Sequence, residues 1–116
     1  MEKIPSAIRD YVWKRDHGKC RICGAPADDV HHIFSRGSNI PKYLGIPKIK
    51  KNNHPLNLIA VCRSCHSKIH SSGMSRETKE VFIKANKSLS CIHFDEDLER
   101  RMKAVLEELS TEEMKI

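Results

Sequence analysis

Two CxxC pairs constrain this chain more than any other feature: Cys20-Arg21-Ile22-Cys23 and Cys62-Arg63-Ser64-Cys65. One CxxC turn brings two thiols together, and two such turns supply the four thiolates of a tetrahedral zinc ion. The fold must therefore bring residues 20–23 beside residues 62–65. A chain of 116 residues buries only a modest core, and a metal staple is a common source of stability at this size. The fifth cysteine, Cys91, stands outside the pattern, and an odd count argues against a full disulfide framework. The N-terminal residues lack the apolar stretch of a signal peptide, and no apolar run reaches the roughly 18 residues that a membrane span needs. A cytoplasmic location with reduced thiols and no membrane partner is the expectation. With sulfur at all four corners the ion has no open position, so its expected role is structural.

The segments around the pairs read as short elements. Residues 5–16 form an expected helix with an Ile8, Tyr11 and Val12 stripe, started by Pro5 or Ser6 and stopped near Gly18. Arg9, Lys14 and Arg15 on it are expected to face solvent. Val30 to Ile33 reads as a strand, whose alternation sends His31 and His32 to opposite faces. Leu58 to Val61 reads as a second strand leading straight into Cys62. Arg63 to His70 has helical spacing, which sets His66 and His70 one turn apart on one face. The fold class expected is α+β: a small ββα finger closed by the two knuckles and flanked by N-terminal and C-terminal helices. Residues 1–72 would form the site-bearing unit and residues 73–116 a helical extension packed on or beside it. In that extension Ser75 is an expected N-cap for a stripe of Val81, Phe82, Ala85 and Leu89. Asp95 caps a last helix carrying Leu98, Met102, Val105, Leu106 and Leu109. Glu96–Arg100, Asp97–Arg101 and Glu99–Lys103 are acid-first pairs one turn apart.

Charge follows the same division. Residues 1–70 hold thirteen Lys and Arg against five Asp and Glu, whereas residues 71–116 hold eight against ten. A basic half around the Cys/His constellation suits a polyanion such as DNA. Residues 35–55 make a long polar connection rich in Pro, Gly and Lys, and a connection of that length is usually functional or disordered. It is read as a flap on nucleic acid, with Arg36, Lys42, Lys48, Lys50 and Lys51 as contacts, joined by Arg63. Tyr43 and Leu44 would anchor it or form a short helical turn.

His31, His32, Asn57, His66 and His70 remain unexplained by the four-sulfur site. Imidazoles gathered around a ββα hairpin can place a second metal beside a general base. With Arg15-Asp16-x-Gly18-x-Cys20-x-x-Cys23-Gly24, Val30-His31-His32-Ile33, Asn57-Leu58 and Cys62-x-x-Cys65-His66, residues 8–70 resemble the HNH endonucleases of the ββα-metal superfamily. The resemblance implies a metal-dependent DNA endonuclease. In it His32 is the general base, His31 and His66 are metal ligands, and Asn57 fixes the hairpin and orients the base. His70 is a further ligand or phosphate contact. An imidazole is basic near neutral pH, and a divalent ion held by two or three of them keeps positions open for phosphate and water. Mn(II) or another transition metal is expected to serve at least as well as Mg(II). One such site per chain cuts one strand, so a monomer would nick and the oligomeric state, expected to be a monomer or weak homodimer, decides between a nick and a double-strand cut. The alternative is a zinc-stabilised DNA-binding module without catalysis, which has no need of His32, Asn57 and His66.

Overall fold

The computed structural model describes residues 4–35 and 39–114. Helix α1 spans Ser6–Arg15, with Pro5 at its N-cap. Its buried side chains are Ala7, Ile8, Tyr11, Val12 and Arg15, a stripe at helical spacing. Strand β1 (Asp29–His32) pairs antiparallel with β2 (Leu58–Val61), with His31 opposite Ile59 and His32 opposite Leu58. Helix α2 (Arg63–Ser72) follows β2 after one residue, Cys62, whose sulfur caps it by accepting from the Cys65 N–H. Helices α3 (Arg76–Leu89) and α4 (Glu96–Met114) complete the four helices of the described residues. None of them is long and apolar enough to cross a membrane.

β2 is buried along its whole length, as its unbroken apolar run requires, and it divides the core. On one side Leu58 and Val30 pack with Ile8, Tyr11 and Val12 of α1 and with Leu98 and Met102 of α4. On the other side Ile59 and Val61 pack with Cys20, Cys62, Cys65, Ile33, Phe34, Leu44 and Ile83 of α3. Helices α3 and α4 thus close the two faces of the ββα unit. The stripe of α3 is rotated from the expected one: Ile83 and Asn86 are buried, while Val81 is 63% exposed. On α4, Asp97 pairs with Arg100 and Arg101 reaches Asp10 on α1. Glu99 is buried and accepts from His93 Nδ1 at 2.9 Å. The described residues of the long connection form 3-10 turns at Lys42–Leu44, Lys50–Asn52 and Pro55–Asn57. Leu44 and Ile49 sink into the core and hold it down.

A polar hub joins these layers, and it overturns the expectation that Arg15 faces solvent. Arg15 and Asp16 are each 5% exposed. Arg15 donates to Asp16, to the Pro55 carbonyl at 2.8 Å and to the Leu58 carbonyl at 2.6 Å. Asp16 also accepts from Arg21 at 2.8 Å and from the Ala60 N–H at 2.9 Å. Arg21 continues to Asn86 Oδ1, and Asn86 Nδ2 donates back to the Leu56 and Leu58 carbonyls. One carboxylate therefore ties α1, the first knuckle and β2 together, and the chain through Arg21 reaches α3. Removing one member of a buried charge pair leaves the other uncompensated, at about 3–5 kcal/mol. Asp16→Asn is expected to lower stability by that amount, read as a fall in the urea midpoint. An unchanged midpoint would deny the hub any structural role.

His54 adds a pH dependence. Burial lowers its pKa to about 4, and its Nδ1 accepts from the Leu56 N–H at 3.2 Å. The unfolded chain takes up this proton near pH 6.5, the folded chain only at about 4. Stability is therefore complete above about pH 6.5 and is lost as the pH falls towards 4. His54→Asn is expected to shallow the dependence of the urea midpoint on pH across that window. An unchanged slope would assign the effect elsewhere.

Candidate functional site

The fold brings the four knuckle cysteines together. The first knuckle is a tight turn in which Gly24, at φ 82°, donates its N–H to the Cys20 carbonyl at 2.9 Å. That left-handed backbone is why glycine closes it. The Arg21 N–H binds the Ala60 carbonyl at 2.9 Å and fixes the knuckle against β2. Cys20, Cys23, Cys62 and Cys65 place their sulfurs within 4.8 Å of one another, with Cys23 and Cys62 3.6 Å apart. Burial pushes the Cys20 thiol up, but N–H groups of Cys23, Cys62 and Ile22 outweigh it and bring it down to about 6. Burial, with the bonds to its neighbouring sulfurs, pushes Cys65 up to about 12. Thiolates this close repel, so all four ionise together only around a cation. This donor set fits a structural metal ion. Cys91 is exposed and stands apart from it.

Three histidines form a second cluster. His31 faces the α2 side of the sheet, as strand alternation requires, and meets His66 and His70 one turn apart on α2. Their ligand nitrogens lie within 4.8 Å of one another, and His66 Nε2 and His70 Nε2 are 2.9 Å apart. Burial, then the charges of His66, His70, His32 and Lys79, lower His31 to about 4. It is therefore neutral at pH 7, the state in which an imidazole can bind metal. The cluster lines an open cleft of about 1000 Å³ that also includes His32, Asn53, Arg9 and Lys79.

His32, at the end of β1, lines the same cleft without joining the trio, and its Nε2 lies 2.7 Å from Asn53 Oδ1. An amide oxygen only accepts, so the imidazole proton sits on Nε2 and the basic lone pair on Nδ1. Asn57, expected to orient this imidazole, does not touch it. Its Oδ1 accepts from the Phe34 N–H at 2.9 Å, and its Nδ2 donates to the Phe34 and Asn52 carbonyls, both at 3.1 Å. Those bonds use both amide hydrogens and one acceptor site of the oxygen. Asn57 pins the turn after β1 to the segment before β2, and Asn53 is the side chain set against His32 Nε2. Nothing in the spacing marked Asn53, because the left-handed backbone at Lys51 and Asn52 aims it.

The basic residues are redistributed relative to the expected flap. Lys42, Lys48, Lys50, Lys51 and Arg63 do not line the histidine cleft. Lys42, Lys48 and Lys51 line a separate cleft with Arg76, and Arg63 is exposed at the start of α2. Arg36 lies outside the described residues. The cations of the histidine cleft are Arg9, paired with Asp29 at 3.1 Å, and Lys79, 5.0 Å above the Phe34 ring. Lys79 could not be foreseen, since its position depends on how α3 docks.

No family model matches the sequence. A stretch of 56 residues, 48% of this chain, is 45% identical to the mitochondrial DNA mismatch repair protein mutS homolog of Sarcophyton glaucum. The matched stretch covers 5% of that much longer protein.

Proposed function

We propose that this chain is a metal-dependent DNA endonuclease of the HNH type, built on a ββα unit with a structural zinc. The observation that carries the reading is the convergence of His31, His66 and His70 in one cleft with a separately held imidazole, His32. Zinc bonded to sulfur at about 2.3 Å sets tetrahedral sulfur–sulfur edges of about 3.8 Å. The Cys23–Cys62 separation of 3.6 Å fits that edge. Two imidazole nitrogens at about 2.1 Å from one ion and at right angles lie about 2.9 to 3.0 Å apart. The separation of His66 Nε2 and His70 Nε2, 2.9 Å, suits that arrangement. His31, His66 and His70 would hold the second ion, with Mn(II) or another transition metal favoured by the all-imidazole donors. An ion held there would supply positive charge where the leaving oxygen of a phosphodiester becomes anionic.

The protein side of the reaction rests on four residues. His32 Nδ1 takes a proton from water as the water oxygen attacks phosphorus and the opposite P–O bond breaks. Asn53 holds the His32 tautomer that leaves Nδ1 basic. Arg9 and Lys79 supply positive charge for the flanking phosphates. The relative's name, which refers to DNA mismatch repair, agrees with a DNA-directed role. Plasmid relaxation by metal-stripped, zinc-reloaded protein tests the proposal, with Mg, Mn, Ni or Co added in turn. Nicked circles are expected with at least one metal, and Mn at least as effective as Mg. Intact supercoiled plasmid with every metal, from folded protein, would remove the nuclease reading and leave a DNA-binding module.

A further inference from the structure

The connection between the strands carries a second cleft, of about 550 Å³, that shares no lining residue with the histidine cleft. Lys42, Lys48, Lys51 and Arg76 line it, and no acidic residue does. Its volume is in the range that accepts a nucleotide-sized ligand. Two further features go beyond a basic patch. Asn52, 8% exposed, lines the cleft with its Oδ1 buried and without a hydrogen-bond partner. Its backbone is left-handed at φ 49°, after Lys51 at φ 54°, and its carbonyl is held by Asn57. Two consecutive non-glycine residues in that region are strained, as backbone at binding sites often is. Tyr43, next to Lys42, is 68% exposed. It stands on the same turn as Lys42, whose side chain lines the cleft.

An exposed aromatic ring among cations is how proteins hold unpaired nucleotides: the cations take phosphates and the ring stacks on the base. The orphaned Asn52 oxygen is buried at the cleft wall, and once its side chain turns into the cleft a base N–H supplies the donor it lacks, as a phosphate does not. We propose that this cleft is a subsite for an unpaired nucleotide of the DNA substrate, with Lys42, Lys48 and Arg76 on its phosphates, Tyr43 stacked on its base and Asn52 Oδ1 accepting from the base. This rests on the endonuclease reading for the choice of DNA. The nuclease would then engage DNA at two separate places on its surface and favour substrates with an unpaired segment over a perfect duplex.

Fluorescence anisotropy on the full zinc-loaded chain tests this without other divalent metal, so that no cleavage intervenes. The probes are a short labelled single strand, the same sequence as a duplex, and phosphatidylserine vesicles. The single strand is expected to bind more tightly than the duplex. Tyr43→Ala should weaken single-strand binding about tenfold, within the range for one stacked base, while Tyr43→Phe retains it. Combined Lys42→Gln, Lys48→Gln and Arg76→Gln should reduce the slope of log K against log salt by about 2. These side chains lie on the surface, so the variants keep the core. Tyr43→Ala binding the single strand as wild type does, an unchanged salt slope, or vesicle binding that depends on the same residues would each overturn the subsite. Plasmid relaxation reads the histidine cleft separately. Absence of cleavage with the anisotropy pattern intact would end the nuclease reading and support the subsite.

Discussion

Cys62→Ser, or removal of metal from the four-cysteine site by a strong chelator, is expected to unfold the chain. Cys62 joins three structures at once. It supplies a sulfur 3.6 Å from Cys23, it caps α2, and it is buried among Ile59, Val61 and Ile83. Apparent binding free energies of structural zinc in small domains reach about 10–16 kcal/mol, comparable with the whole stability of a domain this size. Without the cation, closely spaced sulfurs must take up protons or repel. The expected readout is loss of helical circular dichroism on chelation, recovery on adding zinc, and one tightly bound zinc per chain by elemental analysis of protein carrying no second metal. A chelated protein with unchanged ellipticity and thermal midpoint would show that the hydrophobic clusters alone hold the fold.

His32→Ala is expected to lower cleavage by about 10²–10⁴-fold, the usual contribution of a general base. DNA affinity and the thermal midpoint should stay near wild type, because His32 sits at the end of β1 and lines the cleft rather than the core. Gel quantification of nicked plasmid against time gives the rate, and anisotropy gives the affinity. A variant that cuts at the normal rate would take the base assignment away from His32. Loss of binding in parallel with cleavage would make His32 a substrate contact instead.

Much of this site is visible in the order of residues. The two CxxC pairs can meet only if residues 20–23 and 62–65 are adjacent, and the antiparallel pairing of Asp29 with Val61 puts them there. The boundaries of β2 are those of its apolar run, Leu58 to Val61. Strand alternation separates His31 from His32, and helical spacing joins His66 to His70. Failures of sequence reasoning fall where long-range packing decides. Arg15 looked like a surface residue because its neighbours in sequence are polar, yet carbonyls of Pro55 and Leu58 receive it in the interior. Val81 belongs to a plausible apolar stripe, but the docking of α3 through Ile83 and Asn86 turns it outwards. The lysines of the long connection were expected on nucleic acid, and their position relative to the histidines was not legible: the burial of Leu44 and Ile49 sets three of them in a cleft apart from the histidine cleft.

The sequence by itself determined which atoms are available for metal and base chemistry, and on which local face each lies. Those properties depend on residue type and on periods of two and 3.6, which are local. Tertiary structure alone decided that Asn53 rather than Asn57 holds His32. It also decided that Arg9 and Lys79 rather than the connecting lysines line the histidine cleft, and that one carboxylate, Asp16, ties α1 to the first knuckle and β2. These arrangements bring together residues up to seventy positions apart, as Arg9 and Lys79 are in the histidine cleft. They are set by how two hydrophobic clusters close on either side of one buried strand, a constraint on the whole chain at once.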